Sequence, residues 1–407
     1  MIEFPEGFLW GAATSAYQVE GDNTGADWWF WDFWQKTIAP SGKACDHYRL
    51  FREDFDLAKK LNHNAHRFSV EWSRVQPRPD SFDHKALEHY REAVRYLAGL
   101  GIEPVVTLHH FTNPMWLAKT GGWAHPAAGR RFLQYVEKTV ELLADHVRFW
   151  VTINEPMVYV YFSYISGRWP PQYRSLVKAK TAMDSLAQAH MRAYRLIHDI
   201  YKKKNLKPPR VGIAHNTVAF VPCTEKFRDR YVASVRDFWF NYRFLNVLAK
   251  RSTLDYIGVN YYTRHLIHTD RLSLNEILNN ACTHGHDTLP KNTMGWEIYP
   301  QGLYDILAGM KRYNLPVFIL ENGICAQDDA QRWDYIRAHL LSVHRAIQDR
   351  VPVIGYLYWS LLDNFEWDSG FAPRFGLCEV DYRTMKRTPR QSAEKFGQVC
   401  ATGRLEE

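Results

Sequence analysis

The chain has no apolar stretch long enough to cross a bilayer. Its longest uninterrupted run, Val351 to Trp359, holds nine residues against the roughly 20 that a spanning helix needs. Its six cysteines (45, 223, 282, 325, 378 and 400) are scattered, with no Cys-x-x-Cys pair. That pattern suits reduced, mostly buried thiols better than a disulfide framework. The first residues, Met1-Ile-Glu-Phe-Pro-Glu, offer neither a basic region nor an apolar signal core, so a cytoplasmic protein without a membrane partner is expected. No Pro/Gly/Ser-rich linker or low-complexity tract divides the 407 residues, and a single domain over 1–407 is expected. A strong charge imbalance is missing too: the net charge is +7. The densest basic run, Lys202-Lys203-Lys204 followed by Lys207 and Arg210, falls at the end of a predicted helix. There it favours the helix dipole, and no nucleic-acid motif surrounds it.

Aromatic residues are what the chain has in plenty, at 15%. Much of that content must be core. Aromatic faces also stack on flat, weakly polar ligands such as sugars, and composition does not separate the two uses. Apolar residues reach 46% and charged residues 23%, which excludes disorder and collagen-like repeats. Along the chain, short apolar runs alternate with helical stretches. Strands are predicted to begin near Phe8, Arg67, Pro104, Phe149, Val211, Tyr256, Pro316 and Val353. Between them lie helical patterns at 83–100, 127–146, 179–203, 228–250, 301–313 and 329–350. Eight strand–helix units predict an α/β fold with a closed (β/α)8 TIM barrel. The alternative, an open doubly wound sheet, would carry a Gly-rich phosphate turn after its first strand, and residues 11–21 lack that spacing.

A barrel places its chemistry where strands end, and polar residues gather there. Gln18 and Glu20 follow the first strand, Glu71 the second, His109–His110 the third and Asn154–Glu155 the fourth. The sixth ends in Asn260–Tyr262, the seventh in Glu321–Asn322 and the eighth in Trp359–Ser360. Any one of these could simply cap the next helix. Two carboxylates stand out, Glu155 in Thr-Ile-Asn-Glu-Pro and Glu321 in Ile-Leu-Glu-Asn-Gly. Facing each other across a barrel mouth, such a pair suits glycosidic cleavage: one carboxyl protonates the leaving oxygen and the other attacks or activates water.

Eight segments make a specific resemblance. They are 8–21 (Phe-Leu-Trp-Gly-Ala-Ala-Thr-Ser-Ala-Tyr-Gln-Val-Glu-Gly), 66–74 (His-Arg-Phe-Ser-Val-Glu-Trp-Ser-Arg), 107–111 (Thr-Leu-His-His-Phe), 152–156 (Thr-Ile-Asn-Glu-Pro), 258–263 (Gly-Val-Asn-Tyr-Tyr-Thr), 321–323 (Glu-Asn-Gly), 359–367 (Trp-Ser-Leu-Leu-Asp-Asn-Phe-Glu-Trp) and 374–377 (Arg-Phe-Gly-Leu). In this order the chain resembles glycoside hydrolase family 1, the retaining β-glucosidase and β-galactosidase family. The resemblance implies Glu155 as general acid and then base, and Glu321 as nucleophile. It implies Arg67 and Tyr262 as contacts that keep Glu321 ionised, and Asn154 on the sugar 2-hydroxyl. Gln18, His110, Glu366 and Trp367 would hold the remaining glycone hydroxyls, with Asn260 behind them. Trp359 would form a stacking floor, Phe375 would lie near C6, and Trp296 would serve as an aglycone platform. No cofactor and no metal are implied, and the partners would be small β-glycosides or oligosaccharides.

The sequence also departs from the family's pattern. Phe111 follows His110 where many members carry Trp, Met157 follows Asn-Glu-Pro where an aromatic residue is frequent, and the stretch from Asn216 to Asp255 is short. These departures bear on leaving-group preference. Three other readings compete. A sugar-binding relative without activity would lack one catalytic Glu, and both are present. A metal hydrolase could use Cys282, His284 and His286 with His265 and His268, but no acid completes a zinc signature. A 6-phospho-glycosidase would replace the Glu366-Trp367 pair with smaller or basic residues. Glucose, galactose and fucose remain open as glycones, as do the aglycone and the oligomeric state.

Overall fold

The computed structural model describes residues 1–34, 38–270, 288–326 and 328–406. Eight parallel strands close into a barrel. They are β1 (Leu9–Ala13), β2 (Ala65–Ser69), β3 (Glu103–Thr107), β4 (Phe149–Asn154), β5 (Arg210–Pro222), β6 (Ile257–Ile267), β7 (Val317–Asn322) and β8 (Val353–Trp359). Each pairs with the next, and Leu9 opposite Gly355 closes β1 onto β8. The starts agree with the predicted ones to within two residues. The strands read as near-continuous apolar runs because both faces are covered. β7 is buried at all six positions. Val105, Phe149, Val151, Phe318, Leu320 and Leu357 fill the barrel interior, so the barrel is a packed core and only its rim is free for chemistry.

The outer layer is built from α1 (His47–Lys60), α2 (His84–Gly99), α3 (Ala128–Leu143), α4 (Leu176–Lys203), α5 (Phe227–Asp237), α6 (Pro300–Met310) and α7 (Asp329–Gln348), with α8 (Gln391–Thr402) after the last strand. α2 shows the local logic. The Asp83 carboxylate accepts hydrogen bonds from the Lys85 and Ala86 amides, and Leu87, Tyr90, Val94 and Leu97 form the buried stripe. The predicted helix at 228–250 is interrupted. A π-helical turn, Phe238–Tyr242, separates α5 from a further helix, Arg243–Ala249. α1 and α8 were not among the predicted helical patterns.

Ile2–Glu3 pairs antiparallel with Arg404–Leu405, tying the two ends of the chain together. A hairpin of Cys378–Asp381 and Lys386–Pro389 follows the eighth strand. Among the described residues no helix is long and apolar enough to cross a membrane.

Candidate active site

Strand alternation sends neighbouring side chains to opposite faces, yet the site needs consecutive residues on the same side. The backbone departs from regularity where that need arises. The β4–β5 register shifts between Val151 and Asn154. Glu155 then adopts a left-handed conformation with φ 44° and ψ 58°, so Asn154 and Glu155 both reach the rim. The β7–β8 register shifts between Ile319 and Asn322. Leu320 joins the inner core, while Glu321, next to it, meets Arg67. Bulges of this kind re-aim side chains beside active sites.

Arg67 is the hub. Fully buried on β2, its guanidinium donates through Nη1 to Glu321 Oε1, through Nη2 to Asn154 Oδ1 at 2.7 Å and through Nε to Thr107 Oγ1 at 2.9 Å. The Tyr262 hydroxyl donates to the other Glu321 oxygen at 2.5 Å. Both oxygens of Glu321 are therefore held by donors, one of them a cation.

Glu155 stands differently. Its Oε1 accepts from the Asn260 amide at 2.7 Å and from the Asn216 amide at 3.0 Å. Asn260 also donates to Asn154 Oδ1 at 3.2 Å, which links the two carboxylates through Asn154 and Arg67. Burial, reinforced by the charge of Glu321, pushes the Glu155 carboxyl up to about 8. One carboxyl is clamped by a cation and the other is held neutral near pH 7. Such divergence is the arrangement expected of a nucleophile and an acid.

The remaining predicted residues line the same rim. His110 stacks near Trp359, with ring centroids 6.0 Å apart, and near Trp367, also at 6.0 Å. Burial and the Arg67 charge drive the His110 imidazole well below its ordinary value, so it is neutral. Gln18 donates to Glu366 Oε2 at 3.1 Å and to Asn364 Oδ1 at 3.0 Å. Burial, with Glu321 and Glu155 adding to it, lifts Glu366 to about 8. Trp296 lies beside Tyr262 (5.8 Å) and Phe375 (6.2 Å), and Phe375 beside Tyr262 (6.3 Å). Phe111 fills its position by packing on Trp169 and Trp367.

Several polar strand ends serve the scaffold instead. Glu71 caps the short helix Trp72–Val75 and accepts from the Ser73 and Thr112 hydroxyls. Glu20 pairs with Arg74 and accepts from the Tyr90 hydroxyl. His109 is held by Asn113 and Trp123. Asn322 is saturated by the Tyr261 carbonyl and the Tyr335 and Tyr356 hydroxyls. Asn216 was missed, because the fifth strand contributed no residue to the set of strand ends. No flanking residue marks it, since His215 separates it from the apolar run Val211–Ala214. Thr107 and Asn364 lie within the segments 107–111 and 359–367 but were not singled out there.

Of the possible chelating group, Cys282, His284 and His286 lie outside the described residues. His268 contacts Asp229 and Asp270, and His265 packs on Phe220. Among the described residues no group of three His, Cys, Asp or Glu is placed to hold a metal ion.

Comparison with known proteins agrees with this geometry. The family model "Glycosyl hydrolase family 1" matches residues 1–252 and 245–404. The chain is 34% identical to beta-glucosidase A of Thermotoga maritima, covering 100% of this chain and 99% of that protein. It is 31% identical to a beta-galactosidase of Pyrococcus woesei, covering 98% and 97%. The solved beta-glycosidase of Pyrococcus horikoshii superposes with a TM-score of 0.91 at 40% identity, covering 100% of this chain and 96% of that one. The T. maritima beta-glucosidase in complex with glucoimidazole superposes at 0.91 and 32% identity, covering 99% and 100%. With the family model spanning nearly the whole chain and the barrel shared throughout, the protein belongs to glycosyl hydrolase family 1 and is a β-glycosidase of that family.

Proposed function

We propose that residues 1–407 act as one catalytic unit, a retaining, exo-acting β-glycosidase. It would hydrolyse terminal non-reducing β-D-glycosyl residues of small glycosides and oligosaccharides, glucosides foremost, with galactosides and fucosides alongside. The observation that carries this reading is the contrast between Glu321, clamped by Arg67 and Tyr262, and Glu155, raised to about 8 by burial. Glu321 attacks the anomeric carbon while the Glu155 carboxyl gives its proton to the leaving oxygen. The resulting Glu155 carboxylate takes a proton from water, which attacks the same carbon and releases Glu321 with retained configuration. Asn154 meets the 2-hydroxyl, and Gln18, His110, Glu366 and Trp367 meet the other glycone hydroxyls over the Trp359 ring. Trp296 and Phe375 border the pocket. The preference for glucosides draws on the β-glucosidase relatives and on the T. maritima complexes with glucoimidazole and deoxynojirimycin. The free, mostly buried thiols of Cys45, Cys325, Cys378 and Cys400 suit a reducing, cytoplasmic compartment. The test is a rate panel on aryl β-glycosides that differ only in the glycone. A highest kcat/KM on the glucoside supports the reading, and a highest value on a non-glucosyl, non-galactosyl, non-fucosyl ring overturns it.

The pH dependence has a definite sign. Glu155 must hold its proton to act as acid, so kcat/KM falls as pH rises through about 8. Glu366 sits near the same value, so the alkaline limb belongs to a coupled set of carboxyls. Initial rates across the pH range check this. A flat profile between about pH 4 and pH 9 would contradict carboxyl acid–base catalysis.

Phosphorylated sugars should be poor substrates. Glu366 is buried beside the carboxyls of Glu321, Glu155 and Asp368, and Asp368 is itself paired with Arg168. A 6-phosphate entering there would lose its hydration without gaining a cation. A few kcal/mol of lost transition-state binding corresponds to several hundred-fold in kcat/KM. Above about pH 8, where Glu366 ionises, like-charge repulsion widens the gap. A higher kcat/KM on the 6-phospho-glycoside than on the neutral one would reverse this conclusion.

A further inference from the structure

The hydrogen bonds at the rim have directions, and they can be read outward from one group whose role is fixed. Arg67 only donates. The Asn154 atom at its Nη2 is therefore the amide oxygen, and the Asn154 NH2 faces His110 Nε2 at 3.2 Å. The neutral His110 accepts there and carries its proton on Nδ1, which is buried and makes no hydrogen bond among the described residues. The Asn260 group at Asn154 Oδ1 must be its NH2, and that same NH2 donates to Glu155 Oε1 at 2.7 Å. Asn216 reaches the same oxygen at 3.0 Å.

Two N–H donors on Oε1 mark it as the carbonyl oxygen of the neutral carboxyl, because a protonated oxygen is the poorer acceptor. Among the described residues no hydrogen bond reaches Oε2. We propose that Asn216 is a positioning residue for Glu155, which together with Asn260 confines the transferable proton to Oε2 and sets where the alkaline limb falls. The inference rests on Glu155 being the acid. The same donors strengthen when Glu155 is ionised, so they oppose the upward push from burial and from Glu321.

Asn216 is the informative position because its side chain touches Glu155, whereas Asn260 also holds Asn154. The charged and titratable groups facing Glu155 come from four other elements, Arg67 on β2, Tyr262 on β6, Glu321 on β7 and Glu366 after β8, while His110 after β3 meets the neighbouring Asn154. Substituting Asn216 alters none of them. His215 beside it turns away, to the Phe240 and Asn241 carbonyls.

The test is the pH profile of kcat/KM on an aryl β-glucoside for the wild type, Asn216→Ala and Asn216→Asp, with Glu155→Gln in parallel. Asn216→Ala should move the alkaline limb up by about one pH unit. Its kcat/KM on a dinitrophenyl glucoside, which reports glycosylation with a leaving group that needs no proton, should change little. Asn216→Asp, which sets a carboxyl against Oε1, should move the limb further in the same direction and keeps the test open if the Ala variant folds poorly. A uniform loss of rate with the limb unmoved, or a downward shift in either variant, overturns the proposal. The Glu155→Gln profile separates the two layers. If it keeps the wild-type limb and rate, the assignment of Glu155 fails. If it loses the limb while Asn216→Ala leaves it in place, only the role of Asn216 fails.

Discussion

Glu321→Ala and Glu155→Ala are expected to give opposite sugar azides. In Glu155→Ala, an aryl glycoside with a good leaving group still forms the covalent intermediate on Glu321. Azide then attacks that intermediate from the β face without needing a base, and the product is the β-glycosyl azide. In Glu321→Ala the nucleophile is gone and a cavity opens on the α face, beside Arg67 and the Tyr262 hydroxyl, which lose their shared partner. Azide occupying that cavity displaces the leaving group directly, with Glu155 still supplying the proton, and yields the α-glycosyl azide. Without azide both variants are slow, Glu321→Ala by several powers of ten. The anomeric proton in the product NMR spectrum decides. Exchanged stereochemistry would reverse the two roles, and wild-type activity in Glu321→Ala would remove the mechanism.

The sequence revealed the frame and the two carboxylates more readily than the support around them. Strand runs such as Val317–Leu320 are visible because both faces are buried, and every residue type there says so. Glu155 and Glu321 are visible because each sits in a motif. Supporting groups are set by three-dimensional register, which local sequence does not encode. Asn216 reaches Glu155 only because β5 and β6 align Asn216 with Asn260, and no flanking residue marks it. The rim carboxylates show the opposite difficulty. Glu20 and Glu71 look as promising as Glu155 at strand ends, yet they are satisfied by Arg74, Tyr90, Ser73 and Thr112. Irregular backbone was equally hidden, since the left-handed Glu155 and the shifted registers at β4 and β7 have no sequence signature.

Arg67→Lys is expected to cost far more than the exchange of one cation for another suggests. Lysine keeps the charge but replaces a planar fork by a single ammonium on a flexible stem. The guanidinium serves Glu321, Asn154 and Thr107 at once, from a position with no solvent exposure. An ammonium satisfying Glu321 leaves the Asn154 oxygen to Asn260 alone. The amide that should meet the 2-hydroxyl then loses its fixed orientation. Arg67→Met goes further and leaves a buried carboxylate without its cation, a change of roughly 3–5 kcal/mol. If that loss falls wholly on the transition state, kcat/KM drops by about 10²- to 10⁴-fold. Profiles of kcat/KM and thermal midpoints for both variants provide the check. Near-wild-type kcat/KM in Arg67→Met would show that Glu321 does not depend on the guanidinium.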